Sequence, residues 1–361
     1  MRRKATAAQA EQPIHYVVWE ALPGGMESYI TYYTEHLQER RPVYIYSLRP
    51  SGNHLNPRLN GHFAEGSKNN WVCYTGFFRY ARRYRRDLFH LVNSGPIVLL
   101  LALLAGVRRP VYHIHGTKHW KGWKDWLYLK AAWLLISRFR VRYVANSHHS
   151  AAVFTREVLP VRPLVVYNGF HLSRFLQYRH RRTRLRRMAF VGRLAPDKNA
   201  HLVIRLFEEI AAQMPEVELH IAGTGALEAQ LREQARQSPF ARRIAFYGWI
   251  EDVARFYAEA DLFVFLSAHE SFGNVVAEGL LTGLPVLTSD VPVFEEIHGD
   301  VATFCLGSPD NYEHVRQRFL AAVADFPTLA QKAYDAAERL QRLFDLRTHL
   351  HDIEQLYHEC D

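Results

Sequence analysis

Cysteine is scarce. Three residues, Cys73, Cys305 and Cys360, are scattered through 361 positions at no spacing that a zinc site or a disulfide framework uses, so the chain fits a reducing compartment. Long apolar runs are missing too. The longest, "PIVLLLALLAGV" at 96–107, is about half of what a bilayer span requires, and the first ten residues carry no apolar signal-peptide core. Neither secretion nor a membrane span is expected, and a cytoplasmic chain is. The sequence also lacks an Asp-x-Asp pair for metal-bound phosphate. Its closest histidines, His113 with His115 and His148 with His149, have no cysteine or acid nearby at ligand spacing, so no metal centre is expected. No nucleic-acid recognition motif is legible, and none of that class of partner is expected.

What is present is an ordinary globular balance, with 48% hydrophobic and 22% charged residues, which argues against long disorder. The length fits two domains, each large enough to bury an interior. The formal charge of +9 is clumped, in "RYARRYRR" at 79–86 and "RHRRTRLRR" at 179–187. Clumped base points to an anionic partner, a membrane surface above all. Between 118 and 133, "KHWKGWKDWLYLKAAW" interleaves Lys118, Lys121, Lys124 and Lys130 with Trp120, Trp123, Trp126 and Trp133. Rings at headgroup level beside ammonium groups are what an interfacial segment needs, although about half of these tryptophans are expected in the core.

Along the chain, short β-branched and aromatic runs alternate with helical stretches. "IHYVVWE", "PVYIYSL", "VYHIHG", "RYVANS" and "PLVVYNG" form a first series, and "MAFVGRL", "VELHIAGTG", "RIAFYGW", "DLFVFLS" and "PVLTSD" a second. Strands separated by crossover helices predict an α/β chain of two doubly wound parallel sheets. The expected boundaries are a first domain at 1–178, a basic linker at 179–186, a second domain at 187–345 and a terminal helical segment at 346–361 that packs back on the first domain. Asn146 and Ser147 before "HHSAAVF" read as a helix cap.

In an open parallel sheet, ligands bind beyond the carboxyl ends of the strands, where glycine turns let the backbone approach. "FVGRLAPDKN" turns at Gly192 and then offers Arg193 and Lys198, two cations for a phosphate pair. "IAGTGALE" brackets Thr224 with Gly223 and Gly225. It falls short of a dinucleotide fingerprint, because the third glycine position is Glu228. In "ESFGNVVAEG" a helix is expected to start within Ser271–Gly279, with the amides of Phe272, Gly273 and Asn274 at its positive end, where a diphosphate fits. Glu278 would accept from a vicinal diol such as a ribose, and Glu270 would face hydroxyls on the far side of the phosphates. On a helical rise the two acids stand roughly 12 Å apart, the reach of an extended ligand. Alone, the pair would read as solvated helix residues. With the glycine turns, Arg193 and Lys198, it reads as a nucleotide-sugar site.

These motifs, with "VVYNGF" and "FYGWIEDVARFYAEADLFVFLS" and more loosely "GGMESYI" and "YHIHGT", resemble the retaining glycosyltransferases of family 4. The resemblance implies the GT-B fold, two Rossmann-like domains facing across a cleft with a C-terminal helix crossing back. It implies that Arg193 and Lys198 hold the donor diphosphate and that Glu270 contacts the transferred sugar. Residues Ser271 to Val275 contact sugar or phosphate, Glu278 holds the ribose, and Gly24, Gly25, Gly192, Gly223 and Thr224 approach the donor. His115 is implied near the reacting carbon, with His113 and His119 as alternatives. The catalytic set is therefore expected to be His115, Glu270, Arg193 and Lys198. The sequence departs from the family at Gly279, where alanine is usual. The implied activity is metal-independent, cofactor-free retaining hexosyl transfer from a UDP- or GDP-sugar to a lipid-linked or surface-glycan acceptor in polysaccharide or lipopolysaccharide biosynthesis, on the inner face of the cell membrane. A non-catalytic scaffold on the membrane and a sugar phosphorylase of the same fold are the alternatives.

Overall fold

The computed structural model describes residues 12–20, 30, 33, 34, 36–38, 41–50, 62–120 and 122–358. The chain divides into two compact units, residues 1–166 with 350–361, and residues 167–349.

The first unit is built on strands β1 (Ile14–Val18), β2 (Val43–Ser47), β3 (His62–Glu65), β4 (Leu88–Val92), β5 (Val111–Ile114), β6 (Arg142–Ala145) and β7 (Leu164–Val165). They form one parallel sheet in the order β3-β2-β1-β4-β5-β6-β7. β1, β4 and β5 are buried along their whole length, as parallel strands covered on both faces must be. Helices Asn70–Arg83, Pro96–Leu104 and Trp123–Ile136 are successive crossovers between parallel strands and pack side by side. Trp133 is buried in that core while Trp123 and Trp126 are exposed. Ser147 caps helix His148–Glu157, its Oγ accepting from the Ser150 amide at 2.9 Å.

The second unit carries β8 (Arg187–Val191), β9 (Glu218–Ala222), β10 (Ile244–Gly248), β11 (Leu262–Phe265) and β12 (Val286–Thr288). Their order is β10-β9-β8-β11-β12, all parallel. The chain therefore winds outward in both directions from β8, and the switch point lies between β8 and β11, above their carboxyl ends.

Two boundaries differ from the sequence reading. Residues 167–178 belong to the second unit, and the basic run expected as a linker at 179–186 is stitched into it. Arg182 is 2% exposed and donates to the carbonyls of Ala260 at 3.1 Å, Tyr257 at 2.8 Å and Thr282 at 2.5 Å. Arg179 lies 4.1 Å above the Tyr334 ring. Arg182 also donates to the His180 carbonyl at 2.9 Å; an arginine that binds four carbonyls is a staple, and a composition scan cannot tell it from a solvated one. At the carboxyl end, helix Phe326–Leu343 breaks at Phe344, and helix Leu346–His358 passes into the first unit from residue 350.

Candidate donor-binding site

The loops that leave β8 and β11 meet at the switch point, and backbone bonds hold them together. The Ala268 amide donates to the Asp197 carbonyl at 2.8 Å, and Asn199 Nδ2 donates to the Leu266 carbonyl at 2.9 Å. Asn199 is left-handed, with φ of 50°, a conformation asparagine tolerates better than most residues. It turns Lys198 under the β11 loop. There the Lys198 ammonium, 8% exposed, donates to Glu270 Oε1 at 2.5 Å, Ser267 Oγ at 3.1 Å and the His269 carbonyl at 3.3 Å. Asp197 Oδ2 stands 3.3 Å away on the other side. Arg193, by contrast, is on the surface, 3.9 Å from Asp197. Burial works to raise the Asp197 carboxyl, but the charges of Lys198 and Arg193 outweigh it and hold the pKa low. Two cations and two carboxylates thus leave the pocket near neutrality, with Lys198 and Glu270 paired to each other.

The turns after β8 and β9 are equally constrained. The Gly192 amide donates to the Ala222 carbonyl at 3.0 Å, and the Leu194 amide to the Thr224 carbonyl at 2.9 Å. A Cβ on Gly223, whose φ is +130°, would stand 1.9 Å from the Gly192 carbonyl oxygen. Glycine is obligatory there because one backbone crosses another.

Helix Asn274–Leu281 begins inside the expected stretch, three residues after Ser271. Gly273, left-handed at φ +91°, precedes it as the N-cap residue and brings no side chain of its own to the first turn. Ser271 and Phe272 are thus loop residues, and the helical spacing between Glu270 and Glu278 applies only from Asn274 onward. Phe272 is 2% exposed and packs in the core against Phe344, so it contributes backbone to the site and no side chain. Asn274 Oδ1 accepts from Asn168 Nδ2 at 2.8 Å, which places the "VVYNGF" motif against the helix start. Val275 lies in the first turn. Gly279, the departure from the family pattern, has its physical reason here: a Cβ would lie 3.1 Å from Val286 and 3.2 Å from Phe263, so this helix sits close on β11 and β12.

Glu278 is partly buried on the same helix. Burial pushes its carboxyl up to about 7, with the Arg174 charge and the Tyr257 hydroxyl pulling it back. That hydroxyl donates to Glu278 Oε2 at 3.4 Å. Arg174, Tyr257, Asn168 and Ser267 are the site's supporting residues that the sequence reading passed over. Only Asn168 carried a signal, as the polar residue beside a glycine in a strand-end motif.

His115 lies in the first unit, just past the end of β5. Its ring centroid is 4.2 Å from that of His113. His113 is fully buried within β5 and shares a hydrogen bond of 3.1 Å with His90, which in turn meets the Tyr357 hydroxyl at 2.5 Å. Burial depresses His90 and His115 to about 3 and His119 to about 4, so all three are neutral at pH 7. Gly24 and Gly25 lie outside the described residues. Among the described residues, no group of three or more His, Cys, Asp or Glu could hold a metal ion, and no helix is long and apolar enough to cross a membrane.

Comparison with known proteins places these motifs. Residues 179–339 match the family model "Glycosyl transferases group 1" and residues 23–174 match "Glycosyltransferase Family 4". The alpha-monoglucosyldiacylglycerol synthase of Streptococcus pneumoniae is 24% identical over 264 residues, 64% of this chain and 59% of that protein. The lipopolysaccharide core biosynthesis mannosyltransferase LpsB of Rhizobium meliloti is 25% identical over 74% of this chain and 76% of its own. The chain thus spans little more than half the length of the first of these relatives. Among solved structures, Anabaena HepE in complex with UDP-glucose superposes with a TM-score of 0.81 at 21% identity, covering 97% of this chain and 100% of HepE.

Proposed function

The chain belongs to the family 4, group 1 glycosyltransferases, and on that premise we propose that it moves a hexosyl group from a nucleoside-diphosphate sugar to a lipid-linked or surface-glycan acceptor, with retention at the anomeric carbon. The observation that carries this reading is the pairing of Lys198 with Glu270 at the switch point of the second sheet. A buried ammonium held by a carboxylate is a site primed for exchange. An incoming diphosphate competes for Lys198 and Arg193, and the release of Glu270 frees a carboxylate to accept from sugar hydroxyls. The start of helix Asn274–Leu281, preceded by Gly273, adds its positive end to the phosphates. Glu278 takes the ribose diol once ionised.

In the transfer step the bond from the anomeric carbon to the diphosphate oxygen breaks and a bond from the acceptor hydroxyl oxygen forms on the same face. The acceptor proton passes to the departing phosphate oxygen. Charge developing on the leaving group is met by Lys198, Arg193 and the helix amides, in place of a metal. Neutral His115 serves as a hydrogen-bonding neighbour of the transferred sugar. UDP-glucose bound to HepE supports a uridine donor as the first to try, with guanosine donors second. The relatives' glycolipid and lipopolysaccharide core products support a lipid-borne acceptor, reached from the cytoplasmic face of the membrane.

The test is turnover of UDP-glucose and GDP-mannose with a lipid extract as acceptor, with and without a chelator, the product's anomeric configuration being read by NMR. An α-linked product from an α-donor, formed equally with chelator, is expected. An inverted product, or a strict metal requirement, overturns the mechanism. Nucleotide binding without any turnover favours the scaffold, and consumption of free phosphate favours the phosphorylase.

A further inference from the structure

The helix Trp123–Ile136 is inside out for a surface helix. It buries Ala132, Trp133 and Ile136, yet Trp123 is 74% exposed, Leu127 61% and Leu134 57%, and Trp126 and Leu135 are exposed as well. At roughly 100° per residue, Trp123, Leu127 and Leu134 fall within about 40° of arc, so the helix turns an apolar stripe outward. Single exposed leucines need no explanation, but a continuous stripe does. Beyond the intervening helix Pro96–Leu104, Trp71 at the start of helix Asn70–Arg83 is 76% exposed.

The charge on this face is one-sided. Helices Asn70–Arg83, Pro96–Leu104 and Trp123–Ile136 contain a single acid, Asp125, which already accepts from the Tyr128 hydroxyl at 3.2 Å. All three helices cross from one parallel strand to the next in the same sense, so their carboxyl ends lie at one edge of the sheet. At that edge cluster the exposed arginines Arg82, Arg83, Arg85, Arg86, Arg108 and Arg138. The Arg85 side chain reaches within 3.1 Å of the Cβ position of Gly106, at the end of the second helix, which ties the cluster together across elements. Cations at helix carboxyl ends complement the dipole, and six exposed arginines together make this end of the face strongly basic.

We infer that this three-helix face is a docking surface for an anionic lipid bilayer, Trp71, Trp123 and Leu127 entering the interface while the arginine edge binds phosphate headgroups. The apolar stripe disfavours a purely polyanionic partner, and a second copy of the chain would bring like charge against like charge. The inference deepens the reading above by giving a lipid-borne acceptor a place to be met, and its failure leaves the donor site intact.

The experiment is flotation of the full chain with vesicles of phosphatidylcholine alone or mixed with phosphatidylglycerol. Flotation is expected only with the anionic vesicles and is expected to fall as salt rises. The combined change Arg82→Ser, Arg83→Ser and Arg86→Ser is expected to lower partitioning by about five-fold per arginine, on the order of a hundredfold in all. The pair Trp123→Ser and Leu127→Ser is expected to lower quenching of tryptophan fluorescence by brominated lipid, leaving the share that Trp71 contributes. A retained thermal shift with UDP shows that each variant is folded. Absence of flotation, or equal flotation with neutral vesicles, overturns the inference. Dimerisation that Trp123→Ser and Leu127→Ser dissolve assigns the face to a second copy and overturns it, and so does oligonucleotide binding that those changes leave untouched.

Discussion

Replacing Glu278 by glutamine is expected to stabilise the second unit while weakening the ligand. The carboxyl's ordinary value is 4.5 and its value in the fold is about 7, raised by burial. A carboxyl raised on folding binds its proton more tightly folded than unfolded. Its contribution therefore favours the fold below pH 4.5 and is lost as pH climbs through about 7, above which the buried charge opposes folding. The two values differ by about 2.5, an upper bound of roughly 3.4 kcal/mol at 1.36 kcal/mol each. Because Glu278 keeps some contact with solvent, about 2 kcal/mol is the figure to expect. Glutamine has the same shape and can still accept from the Tyr257 hydroxyl, so the whole gain appears where Glu278 would be ionised. For a unit of this size that is a rise in Tm of about 4–8 °C near pH 8, vanishing near pH 4. Scanning calorimetry of the unliganded protein across pH reads it. The same variant should bind a nucleoside diphosphate about 1–3 kcal/mol less tightly, having lost a charged acceptor for the diol. A stabilisation independent of pH, or a loss near pH 8, would refute the assignment of Glu278 as a buried acid held for a ligand.

The Lys198–Glu270 pair separates two further variants. Lys198→Met strands Glu270 and removes a phosphate ligand, and isothermal titration should show donor affinity falling by about 2–5 kcal/mol. Glu270→Gln frees Lys198, so nucleoside-diphosphate binding should hold or tighten while transfer to acceptor is lost; weaker binding would contradict the exchange of partners. Gly223→Ala drives a Cβ to 1.9 Å from the Gly192 carbonyl and should cost more than about 3 kcal/mol or abolish folding, as read by Tm and yield. His115→Ala should lower kcat with little change in nucleotide affinity. Since burial holds His115 neutral with a pKa of about 3, any acid limb of the rate near neutrality should persist in that variant and disappear in Glu278→Gln.

Much of this was legible in the sequence because parallel sheets write themselves plainly: ten of the strand runs are apolar, short and bounded by turn residues. β4 escaped, although "LFHLV" is a buried run, because it follows the arginine cluster and reads as its continuation. β3 escaped because "HFAE" carries no β-branched residue. The motif residues Gly192, Lys198, Glu270 and Gly273 follow the carboxyl ends of β8 and β11, with Glu278 on the helix after them, since topology, rather than local propensity, collects strand ends there. What sequence could not show is partnership. Lys198 and Glu270, 72 positions apart, read as two independent ligands and instead hold each other. Arg182, inside a run that looks like a solvated linker, is a buried staple. Long-range pairing of this kind leaves no periodicity in the chain.

The most direct test of the account is a thermal-shift panel of nucleoside diphosphates and nucleotide sugars, with and without chelator. A ligand at about a hundred times its dissociation constant stabilises by about 2.7 kcal/mol. A selective rise in Tm with one base, unaffected by chelator, abolished in Lys198→Met and retained in Glu270→Gln, is the predicted result. No rise with any nucleotide, or a rise that Lys198→Met leaves unchanged, would contradict the donor site described for the second unit.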